Sequence, residues 1–478
     1  MSAAPLVLDD DRVFDADPSV RRIARALYEE MRALPLICPH GHADPRWLAD
    51  NEPFPEPASL LVTPDHYITR MLYSQGVSLE SLGVGPRDGT PYESDGRAIW
   101  RRFAERALLF RGTPSGYWLD HELHELFGIR VVLDAGTADL VYDTIAERLQ
   151  SPEYRPRALY ERFNIEVLAT TDAATDSLEH HATIRASGWQ GRVIPTFRPD
   201  QLFQVAAPQW RAAVESLGAQ SGIAIDGVDA LVDALAARRA VFASAGATAT
   251  DHAVEEPFTE RLSAAECAAI WDRGMHGLAT SRDQRALSGH LLMEMARLSV
   301  VDGLVMQLHA GAYRNHNRPL FERFGPDIGA DIPVATEFTR NLAPLLNEYG
   351  NSSVLTLVLF TLDESTYARE LAPLAGHYPS VRLGPAWWFH DSINGMTRYR
   401  EMTTETAGIW NTAGFNDDTR AFCSIPARHD LARRVDANVL ARLVSRHIVH
   451  LRDARVMAHA LAYGLAHTTY KLDRRTTS

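Results

Sequence analysis

Near the amino terminus an apolar run, Leu34-Pro35-Leu36-Ile37-Cys38-Pro39, ends in His40-Gly41-His42. On an extended segment alternate side chains project to one side. The two imidazoles then face the same way, with Cβ atoms roughly 6–7 Å apart, and can share one metal ion. A carboxylate has to come from elsewhere, and the far end of the chain offers Asn416-Asp417-Asp418-Thr419-Arg420. Such a centre needs the first and last strands to be neighbours, as in a closed barrel. Spacing alone does not separate this from a loop pair flanked by Pro39 and Pro45, since 19 histidines in 478 residues give about 0.75 His-x-His by chance. The surrounding elements must decide.

Eight short β-prone runs recur, at residues 34–42, 165–172, 192–198, 240–245, 303–309, 354–362, 381–389 and 414–418. Several are almost wholly apolar, such as Val354-Leu355-Thr356-Leu357-Val358-Leu359-Phe360, as expected of strands covered on both faces of a parallel sheet. Eight such runs alternating with helical stretches predict an α/β fold of the (β/α)₈ TIM-barrel type, with an open doubly wound sheet as the alternative. A barrel core takes about 250 residues, so much of the chain is insertion. Residues 43–161 are predicted to be a helical insertion after the first strand, with helical patterns around 98–109 and 138–149. Residues 430–470 are predicted to be extra carboxyl-terminal helices, and 1–478 a single elaborated domain. There is no internal repeat, no Gly-x-Gly-x-x-Gly loop and no Walker loop.

In a parallel barrel the carboxyl ends of the strands form the functional face. In this reading His40 and His42 end the first strand, Thr170, Thr171 and Asp172 the second, and Arg198 the third. His309 ends the fifth, Trp387 and Trp388 the seventh, and Asp418 and Arg420 the eighth. Each has a plainer reading. His309 can be a core histidine with a backbone partner. Arg198 can simply pair with Asp200. One of the two tryptophans should be core, because neighbours in a strand face opposite ways. The polar run from His309 to Asn317, directly after a strand, fits a binding loop better than packing.

Composition narrows the class. The chain is 46% hydrophobic and 23% charged, as in a globular protein large enough for a substantial core. A net charge of −13 without a basic block gives no nucleic-acid footprint, although a few arginines can still hold an anionic substrate. Cys38, Cys267 and Cys423 are odd in number and far apart, so no disulfide framework is implied. No apolar run approaches about 18 residues, and no basic segment followed by an apolar one opens the chain, so neither membrane contact nor export is expected and the cytoplasm is the default. Of the 48 basic residues only Lys471 is lysine, so any Schiff-base chemistry or lysine bridging two metals would fall to that residue.

The ordered residues resemble the uronate isomerases (glucuronate isomerases) of the amidohydrolase superfamily along nearly the whole chain. The blocks are Asp65-His66-Tyr67, Thr170-Thr171-Asp172 with Asp176 to His181, Pro195 to Asp200, Gln307-Leu308-His309 with Gly311-Ala312, Gly325-Pro326-Asp327 and Trp387-Trp388-Phe389. Gly41 stands where the family usually has Cys or another small residue. The eighth-strand motif is commonly Thr-Asp-Ser-Arg; here Asp417 and Asp418 compete, and the Asp-x-Arg register selects Asp418. The resemblance implies ligation of one divalent ion, usually zinc, by His40, His42 and Asp418, with His309 nearby or ligating. It implies aldose–ketose interconversion of hexuronates: D-glucuronate to D-fructuronate, and D-galacturonate to D-tagaturonate. Asp418 is then the candidate base, Arg420 the stabiliser of enediolate charge, and Tyr67 and His66 candidates for proton relay or sugar-hydroxyl contacts. Arg198 and Arg314 are candidates for a carboxylate clamp, with Trp387, Trp388 and His309 among the substrate contacts.

Two rivals stand beside this. A two-metal hydrolase on the same fold would want a lysine or glutamate on the fourth strand and a histidine on the sixth, and residues 240–245 and 354–362 contain neither. A mononuclear hydrolase or deaminase is not addressed by that test. A non-catalytic sugar-acid-binding protein would need the clamp but not the metal residues. A homo-oligomer is compatible with size and class.

Overall fold

The computed structural model describes residues 3–473. Its strands in chain order are β1 (Leu36–Cys38), β2 (Ile165–Ala169), β3 (Asp172–Ala173), β4 (Val193–Ile194), β5 (Phe197–Arg198), β6 (Ala249–Val254), β7 (Val305–Ala310), β8 (Ala312–Tyr313), β9 (Ile332–Pro333), β10 (Leu357–Thr361) and β11 (Val381–Leu383). One sheet has the order β1-β2-β4 and a second the order β11-β10-β7-β6-β5-β3, every pair parallel; β8 and β9 form a small antiparallel ribbon. Wholly buried strands such as β7 and β10 account for the continuous apolar runs, because helices cover one face and the partner strands' side chains the other.

Backbone hydrogen bonds bridge the two parallel sheets. Thr170 N donates to Ile194 O (3.0 Å), Thr196 N to Thr170 O (3.1 Å) and Asp172 N to Thr196 O (3.0 Å). The outer edges are joined differently. Residues 414–418, predicted as the eighth strand, form no strand. Ala413 N donates to Leu383 O beside β11 (2.7 Å), and His42 N donates to Thr419 O just past β1 (2.9 Å). Gly414 and Asp418, both at positive φ (81° and 41°), break the extended run between these two bonds.

The fourth predicted strand is overturned. Residues 240–245 close the helix Val228–Ser244, in which Leu231, Leu235, Arg238 and Phe242 are buried at three- and four-residue spacing, a helical rather than strand periodicity. Gly246 at φ 100° ends that segment, and the strand is β6, Ala-Thr-Asp-His-Ala-Val. Its polar composition hid it. The first strand is also shorter than predicted, because Pro39 offers no N–H to a ladder.

Between β1 and β2 the chain is helical: Pro45–Asp50, Pro57–Leu61, His66–Ser74, Gly96–Ala104, Pro114–His121, Ala138–Leu149 and Pro156–Arg162. Several begin with proline in the first turn behind an Asp, Glu or Thr that accepts from the free N–H groups, as at Asp44, Glu56 and Thr113. Their apolar faces pack with Leu36, Cys38, Ile165 and Leu168 on one side of the strands. Ile37, Val167, Val305 and Val358 fill the other side. At the carboxyl end the helix Ile425–Ser445 packs against Pro18–Met31, followed by Leu451–His459 and Leu465–Thr469. Lys471 donates to the carbonyls of Gly303 (2.7 Å) and Val354 (3.3 Å), bracing the starts of two strands.

Candidate metal centre and substrate cavity

His40, His309 and Asp418 each bring a donor atom to one place, all within 4.8 Å of one another. They come from the end of β1, from β7 and from the segment after β11. Asp418 Oδ1 lies 3.4 Å from His40 Nε2 and 3.0 Å from His42 Nε2. The rings of His40 and His42 stand at 83° with centroids 5.2 Å apart, and His40 stacks on His309 at 4.7 Å. His42 is therefore beside Asp418 but outside the tightest three-donor group. Burial disfavours a proton on His40, yet the carboxylates of Asp418 and Asp251 outweigh it and raise its pKa. Burial by itself would raise the pKa of Asp418; His40 and His42 hold it well below the usual carboxylate range.

His309 is oriented from behind. Its Nδ1 is hydrogen-bonded to Asp251 Oδ1 (2.6 Å), and its ring stacks on Phe360 with centroids 3.9 Å apart. Burial opposes ionisation of Asp251, but His309 and Arg198 keep its pKa well below normal. As a carboxylate it can only accept, so Nδ1 carries the hydrogen and Nε2 is left as a bare donor. That Nε2 is buried and has no hydrogen-bond partner, and neither do His40 Nδ1 and Asp418 Oδ1. Buried polar atoms without partners are costly. The His40 nitrogen facing Asp418 is Nε2, and two imidazoles and a carboxylate that bring donor atoms within 4.8 Å of one another fit a divalent cation.

Beside this group are two cavities that share Trp388. One, of about 340 Å³, is lined by His66, Tyr67, Arg70, Asp327, Asp331 and Trp388 among others. The other, of about 280 Å³, is lined by Trp387, Asp391, Asn416, Asp418 and Arg428 among others. Asp65 puts His66 and Tyr67 there: as cap of the helix His66–Ser74 its side chain accepts from Tyr67 N (2.8 Å), fixing both residues in the first turn. Burial and then Arg420 push the His66 pKa down to about 3, so this imidazole is neutral. Tyr67 OH donates to Asp391 Oδ2 (2.8 Å), and Arg428 Nη1 approaches the same oxygen (3.5 Å). Burial raises the Asp391 pKa, and its Oδ1 is buried without a partner.

The other expected residues have these places. Arg198 Nε is engaged by Asp200 (2.6 Å) and Asp251 (3.4 Å), so the plainer pairing exists alongside a link to the metal group. Arg314 pairs with Asp331 (2.6 Å) and lies 4.9 Å from the Trp388 ring. Arg420 approaches Asp327 at 3.7 Å. Neither Arg198 nor Arg314 lines either cavity. Trp387 and Trp388 do not face opposite ways: their rings stack at 5.0 Å, because β11 stops at Leu383 and strand alternation no longer applies. Asp251, Asp391, Arg70 and Arg428 were not singled out from sequence. Asp251 sat in the strand that was misplaced. The other three carry no motif of their own.

Parallel strands ending at a buried histidine–carboxylate group, with a polar cavity alongside, are the architecture of an α/β enzyme with a centre of the metal-binding type. A sequence model of the glucuronate isomerase family matches residues 18–469, and the chain belongs to that family. It is 54% identical over 467 residues to the uronate isomerase of Brucella canis, covering 98% of this chain and all of that one. Among solved structures it is similar to glucuronate isomerase from Caulobacter crescentus (TM-score 0.96, 49% identity, 98% of each chain). It is also similar to uronate isomerase from Thermotoga maritima (TM-score 0.90, 27% identity, 97% of this chain and 99% of that one). Among the described residues no helix is long and apolar enough to cross a membrane.

Proposed function

We propose that this chain is an aldose–ketose isomerase of hexuronates, converting D-glucuronate to D-fructuronate and D-galacturonate to D-tagaturonate. The observation that carries the reading is the family match over 18–469, coinciding with the converging donor atoms of His40, His309 and Asp418, the last of which lines a cavity. The reaction moves a proton from C2 to C1 through a cis-enediol while a second proton passes from O2 to O1. It needs a base at C2, a proton carrier at the oxygens and a cationic seat for the carboxylate.

His40, Asp418 and His309, with His42 adjoining, would hold one divalent ion, zinc by preference for imidazole and carboxylate donors. When bound, that ion supplies a template and Lewis acidity at the sugar oxygens. Asp418 takes the C2 proton and returns it at C1. Its depressed pKa makes it a weak base, and coordination lowers proton affinity further. Asp391, whose proton affinity burial raises, is the second carboxylate able to take that part, working through Tyr67 OH. Neutral His66 and Tyr67 contact sugar hydroxyls and relay the oxygen proton. Arg420 steadies enediolate charge. Arg198 and Arg314 serve as the clamp, with Arg70 added because it lines the cavity. Trp387 and Trp388 wall the site. The scaffold is a single (β/α)₈ barrel domain, closed through residues 412–419 and carrying the 43–161 insertion. A cytoplasmic homo-oligomer suits a sugar-acid enzyme of this kind.

Ketose formation from both uronates, with ammonia release from aminated sugars as the comparison, tests the reading. Turnover of at least one uronate is expected, with Asp418→Asn lowering kcat by about 10²–10⁴-fold in a folded protein. Ammonia release without ketose would establish a deaminase instead. Uronate binding unaffected by Asp418→Asn, with no turnover in either protein, would establish a binding protein.

A further inference from the structure

We propose that Cys38, Asp417 and His429 form a second divalent-cation site, distinct from the group containing Asp418, that ties the end of β1 and the segment before Arg420 to the helix Ile425–Ser445. The donors are a thiol, a carboxylate and an imidazole, all buried, with donor atoms within 4.8 Å of one another. Cys38 packs with the apolar cluster of the insertion, on the side of β1 away from Ile37, while Asp417 also borders the cavity of about 280 Å³. Asp417 and Asp418 are neighbours that turn to different partners: Asp418 to His40 and His42, Asp417 to His429.

The distances match those of a cation site. Cys38 Sγ to His429 Nε2 is 3.7 Å, and His429 Nε2 to Asp417 Oδ2 is 3.4 Å. A good N–H···O bond spans about 2.7–3.2 Å. A tetrahedral zinc, with bonds of about 2.3 Å to sulfur and about 2.0–2.2 Å to nitrogen and oxygen, sets sulfur and nitrogen about 3.5 Å apart and nitrogen and oxygen about 3.4 Å apart. The measured sulfur–nitrogen and nitrogen–oxygen separations stand close to the edge lengths of such a tetrahedron.

Charge points the same way. The Asp417 side chain is buried, its one ion-pair partner among the described residues is His429, and its Oδ1 has no hydrogen-bond partner. Arg428 gives its hydrogen bond to the Asp417 carbonyl, not the carboxylate (3.3 Å). Arg433 is committed to the carbonyls of Arg32, Leu34 and Pro35. A buried carboxylate needs a counter-charge, and a cation held by a thiolate, an imidazole and this carboxylate provides it. The mixed sulfur, nitrogen and oxygen set selects a zinc-class ion over magnesium or calcium.

The test is to produce the full chain in zinc-depleted, cobalt-supplemented medium and to measure cobalt per chain and the near-ultraviolet spectrum. Two equivalents and a thiolate-to-cobalt charge-transfer band are expected. Cys38→Ser should lose the band and one equivalent, while Asp418→Asn should lose the other equivalent and keep the band. Wild-type protein that holds cobalt without the band overturns the proposal, a result that needs no variant to fold. Persistence of the band in Cys38→Ser overturns it equally, since Cys267 and Cys423 belong to no comparable donor group among the described residues.

Discussion

Asp251 shows how much of the centre lies behind the residues that would touch a metal. Its hydrogen bond to His309 fixes which imidazole nitrogen is bare, and its contact with Arg198 balances its charge. Asp251→Asn should leave His309 in place but free to present the wrong tautomer. We expect metal affinity to fall by about 10–100-fold, read by competition with a chromogenic chelator, with little change in the folded far-ultraviolet spectrum. Unchanged affinity would mean that His309 is held by Phe360 alone. Asp418 has a different constraint. Its φ of 41° is a left-handed conformation that costs a non-glycine residue of order 1–3 kcal/mol, accepted here at the point where its carboxylate meets two histidines.

At the scale of elements, the helix Ile425–Ser445 connects the site to the scaffold. It carries Arg428, which reaches Asp391, and His429, which reaches Asp417. Its position against the helix Ile393–Ala407 is pinned by a buried pair: Arg400 Nε and Nη2 donate to the two carboxylate oxygens of Asp436 (2.6 and 3.1 Å). Breaking such a pair from one side leaves an uncompensated buried charge. Asp436→Ala should destabilise the protein by about 3–5 kcal/mol in chemical denaturation. The double variant Arg400→Met/Asp436→Leu, apolar on both sides, should recover most of that loss. If both variants lose stability alike, the pair's role is geometric rather than electrostatic.

For the molecule as a whole, buried ionisable groups set how stability depends on pH. Burial, and then Asp65, push the Glu122 pKa from 4.5 up to about 8. The unfolded chain gives up this proton near 4.5 and the folded chain holds it until about 8, so the folded state binds more protons in between. The stability from this group is complete below 4.5 and is lost as pH rises towards 8, by about 1.4 kcal/mol per pH unit. His66, pushed from 6.5 down to about 3, works in the other direction: its contribution is present above 6.5 and lost as pH falls. Glu122→Gln should therefore raise the melting temperature at pH 8 much more than at pH 5. An equal shift at both values would show that Glu122 is ionised in the native protein.

Sequence by itself determined the parallel α/β class and the helical stretch between the first two strands. These follow from short-range regularities: apolar runs, a two-residue alternation and proline behind capping residues. His40 and His42 could be named from a compact local spacing, and Asp418, His66 and Tyr67 from the resemblance to the family's motifs. Tertiary structure alone decided that residues 240–245 are helix and that the fourth strand is the polar β6, where partner strands rather than side-chain preference set the conformation. It decided that His309 is turned by Asp251, that Tyr67 meets Asp391 across 324 residues, and that Asp417 and Asp418 face different partners. The physical reason is common to all three. Hydrogen bonds and ion pairs between residues far apart in the chain exist only once packing has brought their elements together, so no local pattern records them.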